Sequence, residues 1–228
     1  MTITTTTRLT RAAGICAAMA GLIFIAVQIK HPPMDVHTVT TTQWVVRSTA
    51  KAVMAVLALI GITGMYLRQV RQTGVLGRVG YLVFGAGYVL MLSTEIIAAF
   101  VLPGLAHSSP GYVNNVVVAA VGGTPTRSIG GMQTLFDLTG LTYMVGGLLF
   151  GIALFRARVL ARWAAALLAV DTAATVALKV LPESFNRPFA VPTGVALIGL
   201  GISLWRDQRK TAPEAAPVTC RVEHLAAR

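Results

Sequence analysis

The sequence predicts an all-α fold: a polytopic membrane bundle of six transmembrane helices with both termini in the cytoplasm. Three observations carry this. Only 12% of the 228 residues are charged, about half the 25% usual in soluble domains. Apolar residues make up 55% of the chain and come in unbroken runs long enough to span a bilayer. Basic residues stand in short clusters between those runs, the distribution expected of cytoplasmic loops.

Residues 1–11 are Thr-rich and polar, which predicts a disordered cytoplasmic N-terminus. Arg8 and Arg11 precede the first span, about 12–29. A cleaved signal peptide is the rival reading, since Ala18-Met19-Ala20 has the small-x-small form. The apolar run continues to Ile29, too far for a signal core, which favours a retained span. Lys30, Pro32 and Pro33 end it. A loop with His31, Asp35 and His37 follows, and Trp44 reads as an interface anchor.

The second span is about 48–67, with Arg47 just before it and Lys51 in its first turn. Arg68, Arg71 and Arg78 form a basic loop. The third span is about 79–102, closed by Pro103-Gly104. Tyr81, Tyr88 and Glu95 recur every seven residues on it and share a face. The longest loop, 105–131, contains the apolar run Val116 to Val121. That run reads either as a short helix lying on the bundle or as a re-entrant segment.

The fourth span is about 132–155. Gln133 and Asp137 lie one turn apart on it, and Gly147 and Gly151 form a Gly-x-x-x-Gly pair that permits close helix contact and makes a homodimer a candidate state. The fifth, about 159–180, follows Arg156 and Arg158. The sixth, about 189–205, precedes a charged tail, 206–228, expected to be disordered. Val75-Leu76-Gly77-Arg78-Val79-Gly80 resembles Val159-Leu160-Ala161-Arg162-Trp163-Ala164. A duplicated hairpin would explain this, and so would two loops under one charge rule, the favoured reading.

Charge orients the bundle. On the inner side fall Arg8, Arg11, Arg68, Arg71, Arg78, Arg156, Arg158, Arg162, Arg206, Arg209, Lys210, Arg221 and Arg228. On the outer side fall Lys30, Arg47, Lys51, Arg127, Lys179 and Arg187. Thirteen against six puts both termini on the cytoplasmic side of the expected location, the bacterial cytoplasmic membrane. The net charge of +11 arises from these clusters and carries no aromatic stripe, so nucleic acid is not the expected partner. Cys16 sits in a span and Cys220 in the tail, and no disulfide is expected.

The intramembrane polar residues gather at one depth. A rise of 1.5 Å per residue puts Glu95 roughly 10 Å, Asp137 roughly 8 Å and Asp171 roughly 15 Å below the outer ends of their spans. Asp171, Thr175 and Lys179 run along one side of the fifth span. Gln28, His31, Arg47, Lys51 and Lys179 also lie toward the outer side. Ion pairs joining helices would account for such a cluster, yet intramembrane acids mark functional sites by default. The nine residues are therefore the candidate ligand-binding set. No cofactor and no metal is expected: His31, Asp35, His37 and His107 match no zinc spacing. Ser93, Thr94 and Glu95 point in different directions on a helix and form no nucleophile–base pair.

Gln28-Ile29-Lys30-His31-Pro32-Pro33, Arg47 and Gly64-Met65-Tyr66-Leu67-Arg68 resemble the corresponding features of small actinobacterial-type membrane proteins with no assigned activity. The resemblance implies a multispan membrane protein and supplies no catalytic residues. Three functions are compatible with these residues. The first is a protein whose outer polar pocket takes a lipid headgroup or an amphipathic small molecule. The second is a proton- or ion-coupled transporter built around Asp171. The third is a membrane-embedded lipid-modifying enzyme using Glu95, Asp137 or Asp171. The near absence of ionisable groups in the inner half weighs against transport. The lack of a nucleophile or metal set weighs against an enzyme.

Overall fold

A computed structural model of the chain describes residues 3–179, 188 and 190–211. These residues form helices and no strands. In chain order they are α1 (Ile3–Ala26), α2 (Val36–Val39), α3 (Thr42–Arg68), α4 (Val70–Ile96), a π-helical turn (Ile97–Val101), α5 (Leu102–Ser108), α6 (Pro110–Ala120), α7 (Gly131–Ala157), α8 (Arg162–Ala174), a 3-10 turn (Thr175–Lys179) and α9 (Ala190–Thr211). Among the described residues, four helices are long and apolar enough to cross a membrane: Thr7–Ala26, Thr42–Arg68, Val70–Ser108 and Gly131–Ala157.

The long helices close into a ring. α1 packs on α3, α3 on α4, α4 on α7, α7 on α8, α8 on α9, and α9 returns to α1. Small residues set the close approaches. A Cβ on Gly14 would lie 2.7 Å from the Gly201 carbonyl oxygen, and one on Gly80 would lie 2.5 Å from the Phe150 nitrogen. Helix backbones therefore touch directly at α1–α9 and α4–α7. The ring is filled by Met54, Ile62, Met65, Phe84, Tyr88, Phe150, Leu168, Leu197 and Leu200. Its outward face is apolar as well: Phe100 is 65% and Val170 66% exposed. Bulky apolar side chains on the outside of a bundle suit lipid and not water.

One end of the bundle is tied by polar contacts. Arg68 Nε pairs with Asp207 Oδ2 at 2.6 Å, the Ala161 N–H donates to Ser203 Oγ at 2.9 Å, and Arg11 lies over the Trp205 ring. α1 and α3 are joined at the other end. α1 ends at Ala26, and a turn that passes through Lys30 at φ 49° leads to Pro32-Pro33. The Arg47 guanidinium donates to the carbonyls of Val27 (2.7 Å), Ile29 (3.0 Å) and Lys30 (3.1 Å). Carbonyls near a helix C-terminus lack helical partners, and a cation there also suits the helix dipole.

Several boundaries differ from those expected. α1 begins at Ile3, so the Thr-rich segment extends the first helix where disorder was expected. The expected basic loop is mostly helical: Arg71 and Arg78 lie on α4, and the chain departs from helical geometry at Gln69 (φ -134°), between α3 and α4, and at Gly74 (φ 58°), a backbone angle that suits glycine. Pro103-Gly104 does not end the third helix, which runs through the π turn into α5. The long loop contains α6, which packs over an apolar cluster of Val39, Trp44, Leu102, Val113, Val116, Val117 and Ile129. Buried Asn115 fastens the rest of that loop, accepting from Thr126 N (2.7 Å) and Arg127 N (3.3 Å) and donating to Gly111 O. The expected tail is helical as far as Thr211.

Candidate functional site

A cavity of about 1090 Å³ opens at the end where α3 and α7 begin. α3 contributes Trp44, Ser48 and Lys51. α4 and the π turn contribute Met91, Thr94, Glu95, Ile97 and Ala98. α6 covers it with Val116, Val117, Ala119 and Ala120. α7 contributes Met132, Gln133, Phe136, Asp137 and Met144, and the 3-10 turn contributes Thr175 and Val176. The wall is thus apolar and Met-rich, with a few polar groups.

The polar groups are placed by helix spacing. Ser48 and Lys51 are three residues apart on one side of α3, and Glu95 ends the face of α4 that Tyr81 and Tyr88 begin. Tyr81 stacks on Tyr66 with ring centres 4.5 Å apart, Tyr88 is fully buried, and Glu95 faces the cavity. Lys51 Nζ lies 3.6 Å from Glu95 Oε1, with side chains 22% and 17% exposed. Gln133 Nε2 donates to Asp137 Oδ1 at 3.2 Å across one turn of α7. The π turn that follows Glu95 aims Ile97 and Ala98 into the same cavity. π turns inside helices concentrate at functional sites.

The nine expected residues separate into groups. Lys51, Glu95, Asp137 and Thr175 line the cavity. Arg47 is committed to the end of α1, beside which Gln28 is half-buried. His31 Nδ1 lies 2.8 Å from Pro32 O in the same turn. Lys179 closes the 3-10 turn, and its side chain lies outside the described residues. Asp171 does not line the cavity. It is 6% exposed, and its Oδ2 accepts from Thr193 Oγ1, which in turn accepts from Tyr143 OH at 3.3 Å. That relay ties α7, α8 and α9 together beside the aromatic core, where Tyr88 and Tyr143 meet edge to face.

Gly147 and Gly151 serve within the chain. A Cβ on Gly151 would meet the Ala169 nitrogen at 2.8 Å, and one on Gly147 would meet Thr172 Oγ1 at 2.8 Å, so the pair seats α8 on α7. In the first loop Asp35 caps α2, accepting from Thr38 N at 2.8 Å. That backbone hydrogen bond holds its carboxyl below the usual carboxylate range. Among the described residues no three His, Cys, Asp or Glu side chains converge as a metal set.

Trp44, Phe136, Tyr143 and Thr193 were not in the expected set. Trp44 reads from sequence as an interface anchor; at the start of α3 it is 5% exposed and packs in the apolar cluster under α6. Tyr143 and Thr193 carry none, because a lone hydroxyl in an apolar helix shows no partner in sequence. Comparison with protein-family models, with curated proteins and with solved structures finds no match for this chain.

Proposed function

We propose that the chain is a six-span protein of the bacterial cytoplasmic membrane, with both termini inside, whose cavity binds an amphipathic molecule such as a lipid by its headgroup. The observation that carries this is the Lys51–Glu95 pair in the wall of a large, otherwise mostly apolar cavity. Ligand pockets have this composition, with a few polar groups fixing the orientation of an apolar body. Four of the eight methionines line it, Met34, Met91, Met132 and Met144. Their flexible thioethers suit a chain without fixed shape.

Lengths support six spans. The 13 residues of α8 and five of the 3-10 turn rise about 30 Å together, one hydrocarbon thickness. α9 has 22 residues. The arginines of the polar-tied end, Arg11, Arg68 and Arg162 among them, give that end the charge of a cytoplasmic face. The cavity is at the opposite end, so it belongs to the extracytoplasmic half.

The binding test compares lipids co-purifying with the unaltered chain and with Gly140→Trp. Gly140 lines the cavity, and no atom lies within 4 Å of a Cβ placed there, so the indole can fill the space. One or more species enriched over bulk membrane should disappear in the variant. Identical lipid profiles would sink the cavity reading. Topology is tested at Cys220, which lies outside the described residues. In a Cys16→Ser background, a membrane-impermeant thiol reagent should label it only after lysis.

A further inference from the structure

The charged residues lining the cavity, among those described, are Lys51, Glu95 and Asp137. Glu95 already balances Lys51 at 3.6 Å. Asp137 is left over. It is exposed, its hydrogen-bond partner is the neutral Gln133, and no basic group among the described residues lies within ion-pair distance. It stands six residues, about 9 Å, into α7. At that depth a carboxylate is close to the headgroup layer.

Two aromatic rings share the cavity with it, Trp44 and Phe136. The Trp44 ring is held in place, because its Nε1 donates to Ala98 O at 2.8 Å. An unpaired carboxylate, aromatic rings and apolar walls together favour one kind of head group. An ammonium is attracted by the carboxylate charge and by the negative face of a ring, and its alkyl substituents tolerate an apolar wall. An anionic head would meet Asp137 unshielded, while the cation of the cavity is already engaged by Glu95.

We infer that the cavity takes an amphiphile with an ammonium head, seated against Asp137 with Trp44 and Phe136, and that it rejects anionic heads. This rests on the reading of the cavity as an amphiphile site and adds the chemistry of the head. The ammonium arrives either on a zwitterionic lipid or on a simple alkylammonium.

The test uses three probes of equal chain length: lysophosphatidylcholine, an alkyltrimethylammonium and lysophosphatidylglycerol. Each is titrated into the purified full chain in neutral detergent. The readout is Trp44 fluorescence in a Trp163→Phe/Trp205→Phe background, with native mass spectrometry of the unaltered chain beside it. Both ammonium probes should bind saturably, and lysophosphatidylglycerol about tenfold more weakly, the scale of one ionic contact. Asp137→Asn should abolish that preference. Asp137 is exposed, so the variant should fold, as circular dichroism checks. Tighter lysophosphatidylcholine than alkyltrimethylammonium would add the phosphate to the recognised head, and equal affinities would assign recognition to the ammonium alone; both support the inference. Equal saturable binding of the anionic and zwitterionic probes would overturn the ammonium head and leave the amphiphile cavity standing. An unchanged preference in Asp137→Asn would also overturn it. No saturable binding of any probe by either readout would overturn both.

Discussion

The indole Nε1 of Trp44 donates to the Ala98 carbonyl at 2.8 Å, and that carbonyl is the one Pro103 leaves without a partner. In the π turn the Leu102 N–H binds Ile97 O, five residues back. The same register assigns the N–H of residue 103 to Ala98 O, but proline has none. α3 supplies the missing donor from 54 residues away, and the helix continues into α5. Trp44→Phe keeps the ring and removes the donor. It should destabilise the protein by about 1–3 kcal/mol, the cost of a buried unsatisfied carbonyl, read as a lower melting temperature in detergent. An unchanged melting temperature would mean that water serves Ala98 equally well.

The Lys51–Glu95 pair sets a second test. Lys51→Met strands Glu95, and Glu95→Leu strands Lys51. Because the side chains are 22% and 17% exposed, the coupling should be moderate, about 1–3 kcal/mol in a double-mutant cycle. If the pair only joins α3 to α4, the double variant recovers both stability and ligand retention. If it orients a ligand, stability returns and retention does not.

The helical architecture was largely readable from sequence, because run length and punctuation are local properties. The expected 132–155 span matches α7, bounded by Gly131 and Ala157. Rise per residue puts Lys51, Glu95 and Asp137 at similar distances from the ends of their helices, and they line one cavity. Lateral position was not readable. Periodicity assigns Asp171 a face but not a neighbour, and its neighbour is Thr193. The end of the third helix was misjudged for a similar reason. A proline removes one donor and crowds the preceding turn; here the Ala98 carbonyl is served by Trp44, and nothing around Pro103 in sequence points to it.

Asp35 gives a pH-dependent local signal. Its carboxyl is held low by the Thr38 N–H, so the cap is fully present above the ordinary carboxylate range and is lost as pH falls through the lowered folded value. The Thr38 amide resonance should shift in acid with an apparent pKa below that of an unperturbed aspartate. A midpoint at or above the ordinary value would contradict the cap.

Close helix contact makes glycine substitutions selective. Gly80→Ala puts a Cβ 2.5 Å from the Phe150 nitrogen, so α4 and α7 must separate. The expected loss is about 1–3 kcal/mol. Gly104→Ala meets nothing within 4 Å and should be neutral or stabilising by up to about 1 kcal/mol, since alanine favours helix. Equal melting temperatures for the two variants would refute the packing of α4 on α7.

Asp171 separates glue from site. Its Oδ2 accepts from Thr193, which accepts from Tyr143, and none of the three lines the cavity. Asp171→Asn keeps an acceptor for Thr193 and should insert and melt almost normally. Asp171→Leu removes it and should cost about 1–3 kcal/mol, because buried hydroxyls lose their partner. Adding Thr193→Val and Tyr143→Phe takes the stranded donors away as well, and should recover much of that loss, since replacing all partners by apolar groups of similar shape is close to neutral. Binding of an alkyltrimethylammonium probe should be the same for Asp171→Asn and the unaltered chain, while Asp137→Asn weakens it. Loss of binding in Asp171→Asn, in protein that accumulates and melts normally, would move the acid from helix packing to function and revive a proton- or ion-coupled role for it.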